Sequence, residues 1–272
     1  TYTRGWMFEH PSRVPWSEQT VVIGPLPWKR TGPGMANDGL PKFDLRVFDD
    51  AYFARLRERV SEAGRRGIYV SVMLFQGWSL DKSGNPDHDP WVVHPMNAAN
   101  NVQAIGAADG RADTDDAPTV HSLRNGALLE RQEAYVRKVV DTVNDLDNVL
   151  YEIINEGGAT DWQAHMIRLV QSYQQTRPKQ HVVIMSHRVT AGMTNADLMR
   201  SPAEIIAPAV EPQDWTHPGS TPLQDYRQDP PAADGSKVVL SDTDHLWGHG
   251  GHWKWVWKSF TRGLHPIFMD PW

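Results

Sequence analysis

The chain has 272 residues, 40% of them hydrophobic and 22% charged, and a formal net charge of −6 at pH 7. That length supports one large core, and the negative balance gives no electrostatic footprint for nucleic acid or an anionic membrane. The chain holds no cysteine, which excludes disulfide and thiolate chemistry, no apolar run of the roughly 18 residues a transmembrane helix needs, and no signal-peptide core in Thr1 to Glu9.

In chain order, Thr1 to Trp6 (TYTRGW) reads as a short strand. Asp50 to Arg66 spaces Phe53, Leu56, Val60 and Ala63 along one helical face, and Gly67 ends that helix. The continuous apolar run Ile68 to Phe75 then reads as a strand buried on both faces. Residues 77–123 are rich in Asp, Asn, Gly and His and lack periodicity, the mark of a long functional loop. Leu128 to Asn144 is a second helix, with Leu129, Val136, Val140 and Val143 inward, followed by a strand at Asn148 to Ile154. Thr160 is the expected N-cap of a helix carrying Trp162, Met166, Leu169 and Tyr173. Strands follow at His181 to Met185, Ala203 to Ala207 and Lys237 to Ser241, with a Pro- and Asp-rich loop at about 210–236. A helix over Gly251 to Arg262 leads to a last strand at Pro266 to Met269.

Strands alternating with amphipathic helices predict an α/β fold with a parallel sheet. No Gly-rich phosphate loop follows any strand, which favours a (β/α)₈ barrel (TIM barrel) over a doubly wound nucleotide-binding sheet. With no repeats or linkers, residues 1–272 read as a single barrel domain whose long mouth loops fall at about 77–123 and 210–236. Seven strands are counted, so the barrel is expected to be incomplete here, lacking its first strand and its last helix.

The strongest chemical signal is Tyr151-Glu152-Ile153-Ile154-Asn155-Glu156. Strict alternation points Glu152, Ile154 and Glu156 in one direction, and Glu156 falls at the strand's C-terminal end, the catalytic edge of a barrel. Asn155 can hydrogen-bond a sugar hydroxyl, and Gly157-Gly158 let the chain turn away. The stretch NVLYEIINE resembles clan A glycoside hydrolases of the cellulase-like family five, whose fourth strand ends in Asn-Glu. The resemblance implies that Glu156 is the acid/base. Arg30 to Gly34, Pro41 to Leu45, Arg66 to Trp78 and Lys237 to Trp272 extend the likeness to a group of bacterial cellulase-like proteins.

Such enzymes carry a nucleophilic carboxylate, normally Glu, at the end of the seventh strand. Here no Glu occurs after Glu211, so Asp242 or Asp244 is the candidate, with Asp242 at the strand end itself. Two carboxyls about 5–5.5 Å apart would make the enzyme retaining, and about 6.5–9.5 Å inverting. Arg4 is similar to the clan A arginine that holds the nucleophile ionised, and Gln76 stands where related proteins often carry Glu. Trp78, Trp247 and Trp272 are candidate stacking platforms among the 12 Trp, and His187 and His245 are candidate mouth residues.

The expectation is a glycoside hydrolase cleaving an oligo- or polysaccharide by a two-carboxylate, retaining mechanism, with no cofactor and no metal. The expected partner is a carbohydrate, with neither nucleic acid nor membrane, and the resemblance implies a secreted or periplasmic setting. Two other readings stand beside it. Asp242, Asp244, His245, His249 and His252 offer carboxylate and imidazole groups for a metal-dependent hydrolase. Alternatively, the Asp-for-Glu change suits a barrel that binds carbohydrate without cleaving it.

Overall fold

The computed structural model describes residues 2–5, 9–14, 21–77, 80, 86–106, 120–155, 157–186, 193, 195–208, 233–242 and 253–267. Seven strands form one sheet, curled as a half-barrel: β1 (Tyr2–Gly5), β4 (Tyr69–Gln76), β5 (Val149–Asn155), β6 (Val183–Ser186), β7 (Ile205–Ala207), β8 (Val238–Asp242) and β9 (His265–Ile267). Every neighbouring pair is parallel, and spatial order follows chain order. All seven strands therefore end on one edge, where Gln76, Asn155, Ser186, Ala207 and Asp242 lie.

The helices form for the reasons their sequence shows. In α1 (Asp50–Arg65), Asp49 caps the N-terminus by accepting from the Ala51 amide, and Tyr52, Phe53, Leu56 and Val60 are buried. In α2 (Gly126–Val143), Asn125 caps, and the buried face is Leu128, Gln132, Tyr135, Val136, Val139, Val140 and Val143. Val136, Val140 and Val143 are buried as expected, while Leu129 is only partly buried and its neighbour Leu128 is core. Thr160 is the first residue of α3 (Thr160–Gln174) rather than its cap: Ala159 holds the cap position without a side-chain bond, and the Asp161 carboxylate accepts the Trp162 amide instead. Two shorter helices follow, α4 (Asn195–Arg200) and α5 (Trp253–Thr261); α4 was not anticipated.

The second departure from expectation is an antiparallel hairpin between β1 and α1, made of β2 (Trp28–Met35) and β3 (Pro41–Phe48). Its apolar pattern is broken by Gly32-Pro33-Gly34 and by exposed Met35, Leu40 and Val47, so periodicity hides it. The Asp38-Gly39 pair in its turn was the available signal. Arg30 lies over the Phe43 ring at 3.9 Å and pairs with Asp38, tying the turn to the strands.

The hairpin packs on the described part of the long loop after β4. That stretch holds 3₁₀ turns at Pro86–His88, Pro90–Val93 and Ala98–Asn100 and is organised by buried asparagines. Asn101 Nδ2 donates to the carbonyls of Pro95, Asn97 and Ile105, and Asn100 Nδ2 to those of Val92 and His94. Asn100 Oδ1 accepts the Asn37 amide of the hairpin turn, and the Val102 amide donates to Phe43. An aperiodic segment is ordered here because side-chain amides satisfy backbone groups that no helix or sheet ladder serves.

A methyl group at Gly106 would stand 2.4 Å from Ala98 N and 2.9 Å from Met96 O, both backbone atoms of this lobe. Gly106→Ala is expected to lower stability by about 1–3 kcal/mol. Gly126→Ala, where no heavy atom lies within 4 Å, serves as the neutral control. Urea midpoints for the two variants check this.

Candidate active site

Among the described residues, the interior face of the sheet carries one buried ion pair. Glu152, in β5, has a side chain 1% exposed, and Arg4, in β1, one that is 17% exposed. Arg4 forks onto the carboxylate, its Nε donating to Oε2 at 3.1 Å and its Nη2 to Oε1. Ser71 Oγ, in β4, donates to Oε2 at 3.0 Å, and Ser186 Oγ, in β6, to Oε1. Both carboxylate oxygens are thus satisfied by residues of three neighbouring strands. Sequence reading had not singled out Ser71 or Ser186, although each is the one serine of a largely apolar strand, the signal that would have found them.

Asn155 and Gln76 join the same network. Arg4 Nη2 lies 3.4 Å from Asn155 Oδ1, and Asn155 Nδ2 donates to Gln76 Oε1 at 2.9 Å. Strict alternation would send Asn155 to the face opposite Glu152, so the alternation does not run to the strand end. β4 shows the reversal directly. Ser71 faces the interior carboxylate, and Val72 faces α1 beside Leu56 and Val60. Phe75, of the same parity as Ser71, nevertheless packs against Tyr135 of α2 and Trp162 of α3, at ring separations of 5.5 and 5.1 Å. Gln76, of the same parity as Val72, points inward to Asn155. Alternation therefore fails at the end of β5: Asn155 and Gln76, paired in register, both turn to the interior.

Glu156 itself lies outside the described residues, as do Trp78, His187, Asp244, His245, Trp247, His249, His252 and Trp272. Asp242 closes β8 with its Cα opposite Ile267 of β9, but its side chain is outside the described set. Of the predicted site residues, then, Arg4, Gln76 and Asn155 are brought together at one corner of the strand-end edge. The guanidinium of Arg4, expected to serve a nucleophile, holds Glu152. The turn after Asn155 needs both of its glycines. A methyl at Gly157 would sit 2.7 Å from Gly77 Cα, and Gly158 adopts φ +75° with the Trp162 ring 2.9 Å from a methyl there.

A second cluster lies at the same edge and had no counterpart in the sequence reading. Glu9 is 1% exposed, and its Oε2 stands 3.3 Å from His94 Nε2 and 3.6 Å from His121 Nε2. Burial pushes the Glu9 carboxyl up, but the two imidazoles outweigh it and hold the group at about 2. His10, also buried, is brought down to about 4, first by burial and then by His94, against the opposing pull of the Ser12 carbonyl that accepts from its Nδ1. Histidines 94 and 121 sit in the aperiodic loop, so no pattern pointed to them.

Among the described residues, no group of three or more His, Asp or Glu side chains is placed to hold a metal ion, and no helix is long and apolar enough to cross a membrane. A cavity of about 370 Å³, lined by Thr3, Gly5, Tyr52, Leu56, Val60 and Val70 among others, opens between β1 and α1 on the helix side of the sheet, away from the Arg4 network.

Fold and strand-end geometry define an α/β protein with a curled, sequentially ordered parallel sheet and a polar corner at its C-terminal edge. The chain belongs to the family described as "Domain of unknown function (DUF6298)", which it matches over residues 21–205. No curated protein matches it. Similar solved structures include endo-glycoceramidase II from Rhodococcus sp. in its lactosyl-enzyme form, at 14% identity and a TM-score of 0.44, covering 83% of this chain and 61% of that one. The same enzyme with a five-membered iminocyclitol matches at 15% identity and a TM-score of 0.43, covering 83% and 62%. A β-D-glucuronidase from Dictyoglomus thermophilum matches at 12% identity and a TM-score of 0.39, covering 97% and 48%. The chain thus spans about three fifths of the length of the endo-glycoceramidase structures.

Glu152→Ala removes the partner of a largely buried guanidinium and is expected to cost about 3–5 kcal/mol, read from urea unfolding. The pH dependence has a definite sign. A buried imidazole held at about 4 against an ordinary 6.5 leaves the folded state with fewer protons than the unfolded chain. Its stabilising contribution is complete above pH 6.5 and falls as pH drops toward about 4. Glu9, at about 2 against 4.5, adds a further loss as pH falls from 4.5 through about 2. His10→Gln should flatten the upper limb only, in urea midpoints measured from pH 7 to 3.

Proposed function

We propose that this protein is a glycoside hydrolase whose acid/base is Glu156 and whose partner carboxylate is Asp242 or Asp244. The observation that carries the reading is the position of Asn155. It is the last residue of a central parallel strand, its amide is fixed by Gln76 and Arg4, and Glu156 follows it directly. An Asn locked at the C-terminal end of such a strand presents a rigid amide to a sugar hydroxyl and sets the starting direction of the next residue. Asp242 ends β8 on the same edge, three strands away in the order β5, β6, β7, β8. Curling of the sheet shortens that span, which suits two carboxyls facing each other over a glycosidic bond.

In this mechanism Glu156 begins protonated and donates its proton to the glycosidic oxygen as the bond to the anomeric carbon breaks. In the retaining course the aspartate attacks the anomeric carbon, forming a glycosyl ester and releasing the alcohol. Glu156, now ionised, then takes a proton from water, whose oxygen displaces the aspartate. A negative partner near Glu156 raises its pKa before the first step, and neutralising that partner lowers it before the second. Arg4 and Glu152 do not touch the sugar in this scheme; they keep Asn155 in place from below.

The test uses alkyl glycosides and oligosaccharides with unactivated leaving groups, for which protonation of the leaving oxygen matters most. Glu156→Gln is expected to lower their hydrolysis by about 10²–10⁴-fold. Asp242→Asn and Asp244→Asn, compared side by side, identify the second carboxylate, and the anomer released first, followed by NMR, gives the stereochemical course. Unchanged hydrolysis in Glu156→Gln would remove Glu156 from the chemistry.

A further inference from the structure

The buried Glu9 cluster joins three loops at the strand-end edge, and its contacts lead to the turn that follows Asn155. Glu9 lies in the loop after β1, His94 and His121 in the loop after β4, and Gly157 to Ala159 in the loop after β5. His94 is fixed by the Met96 amide, which donates to its Nδ1 at 3.1 Å. With Nδ1 so engaged, the other ring nitrogen, Nε2, stands 3.3 Å from Glu9 Oε2. His121 is wedged between the Phe75 and Trp162 rings, at 5.5 and 5.0 Å. Its carbonyl accepts the Ala159 amide at 3.0 Å, and its Cβ would stand 3.5 Å from a methyl at Gly158. Trp162 is held in turn by Gln132, whose Oε1 accepts the indole N–H at 2.9 Å and whose Nε2 donates to Val120 O at 2.6 Å. Residues 120–122 are thereby pressed against the turn from one side while Gln163 Nε2, bonded to Gly157 O at 2.8 Å, holds it from the other.

A carboxylate this deeply buried needs compensation, and neither oxygen of Glu9 meets a hydrogen-bond partner of ordinary geometry among the described residues. The two imidazoles supply compensation at 3.3 and 3.6 Å. Its use is local: the pair of histidines it gathers belongs to one loop, and the backbone of the second histidine holds the next. We infer that Glu9 is a positioning residue for the Gly157–Ala159 turn, acting through His121. Given the hydrolase reading above, on which this consequence rests, Glu9 thereby sets the aim of Glu156 without touching substrate.

Amide hydrogen exchange on the full chain tests the inference without needing a substrate. In Glu9→Gln, exchange at the Ala159 amide should rise roughly tenfold while the β5 amides from Val149 to Ile153 stay within about twofold of the wild type. The ring ¹⁵N signals of His94 and His121 should shift in the same variant. On any glycoside that the wild type hydrolyses, kcat should fall while KM is held. Unchanged exchange at Ala159 overturns the inference, and so does an equal rise across β5, which would make Glu9 a general stabiliser. If Glu9→Gln does not fold, His121→Phe, which keeps the ring packing and removes the imidazole nitrogens, is read by the same exchange criterion. Because exchange is scored separately from turnover, a protein inactive on every glycoside would refute the hydrolase reading and leave the positioning result standing.

Discussion

A single ion pair inside the sheet, Arg4 with Glu152, constrains how the strands of this protein can be arranged. Taking both charges out of water costs several kcal/mol each, which is recovered only when the geometry is good and every remaining lone pair is met. Arg4 forks on the carboxylate, and Ser71 and Ser186 complete it. The four residues come from β1, β4, β5 and β6, so any slip in register would leave a buried charge without its partners. Hydrophobic burial makes the sheet cohere, but this polar centre fixes which residue stands opposite which.

That fixed centre has a consequence at the strand ends. Below it, the alternation of β4 is regular, with Ser71 inward and Val72 toward α1. Above it, Phe75 turns to the helices and Gln76 turns in. The same Arg4 that neutralises Glu152 reaches Asn155 beyond the reversal. One guanidinium therefore links the structural carboxylate to the polar corner where the proposed chemistry would occur. The close approach of Gly157 to Gly77 belongs to the same arrangement, since two adjacent βα turns can pass this near only without a Cβ.

The loops that build the edge are held by polar rather than apolar means. Asparagines 97, 100 and 101 replace a missing hydrogen-bond ladder, and the hairpin β2–β3 docks on them through Asn37 and Phe43. Glu9 with its two histidines closes the space between this lobe and the turn after β5. Functional loops on a parallel sheet gain little from periodic burial, so their rigidity has to come from side chains that serve the backbone directly.

What the sequence could tell follows from which interactions repeat. Helices α1, α2 and α3 and the seven parallel strands were legible because burial of one helical face, or of both strand faces, imprints a period or an apolar run on neighbouring residues. The Asn155-Glu156 pair was legible because its two residues are adjacent in the chain. The hairpin, the asparagine lobe and the Glu9–His94–His121 cluster left no such imprint. The partners of the Glu9 cluster lie as far apart as residues 9 and 121, and a contact across that distance writes no pattern between its ends. The inward turn of Asn155 and Gln76 left no imprint either, because alternation is a local rule and their partners lie on other strands. Sequence alone thus determined the order of the elements and the chemistry-bearing residue types; tertiary structure decided which of them meet, because those meetings depend on the register of distant strands around one buried charge pair.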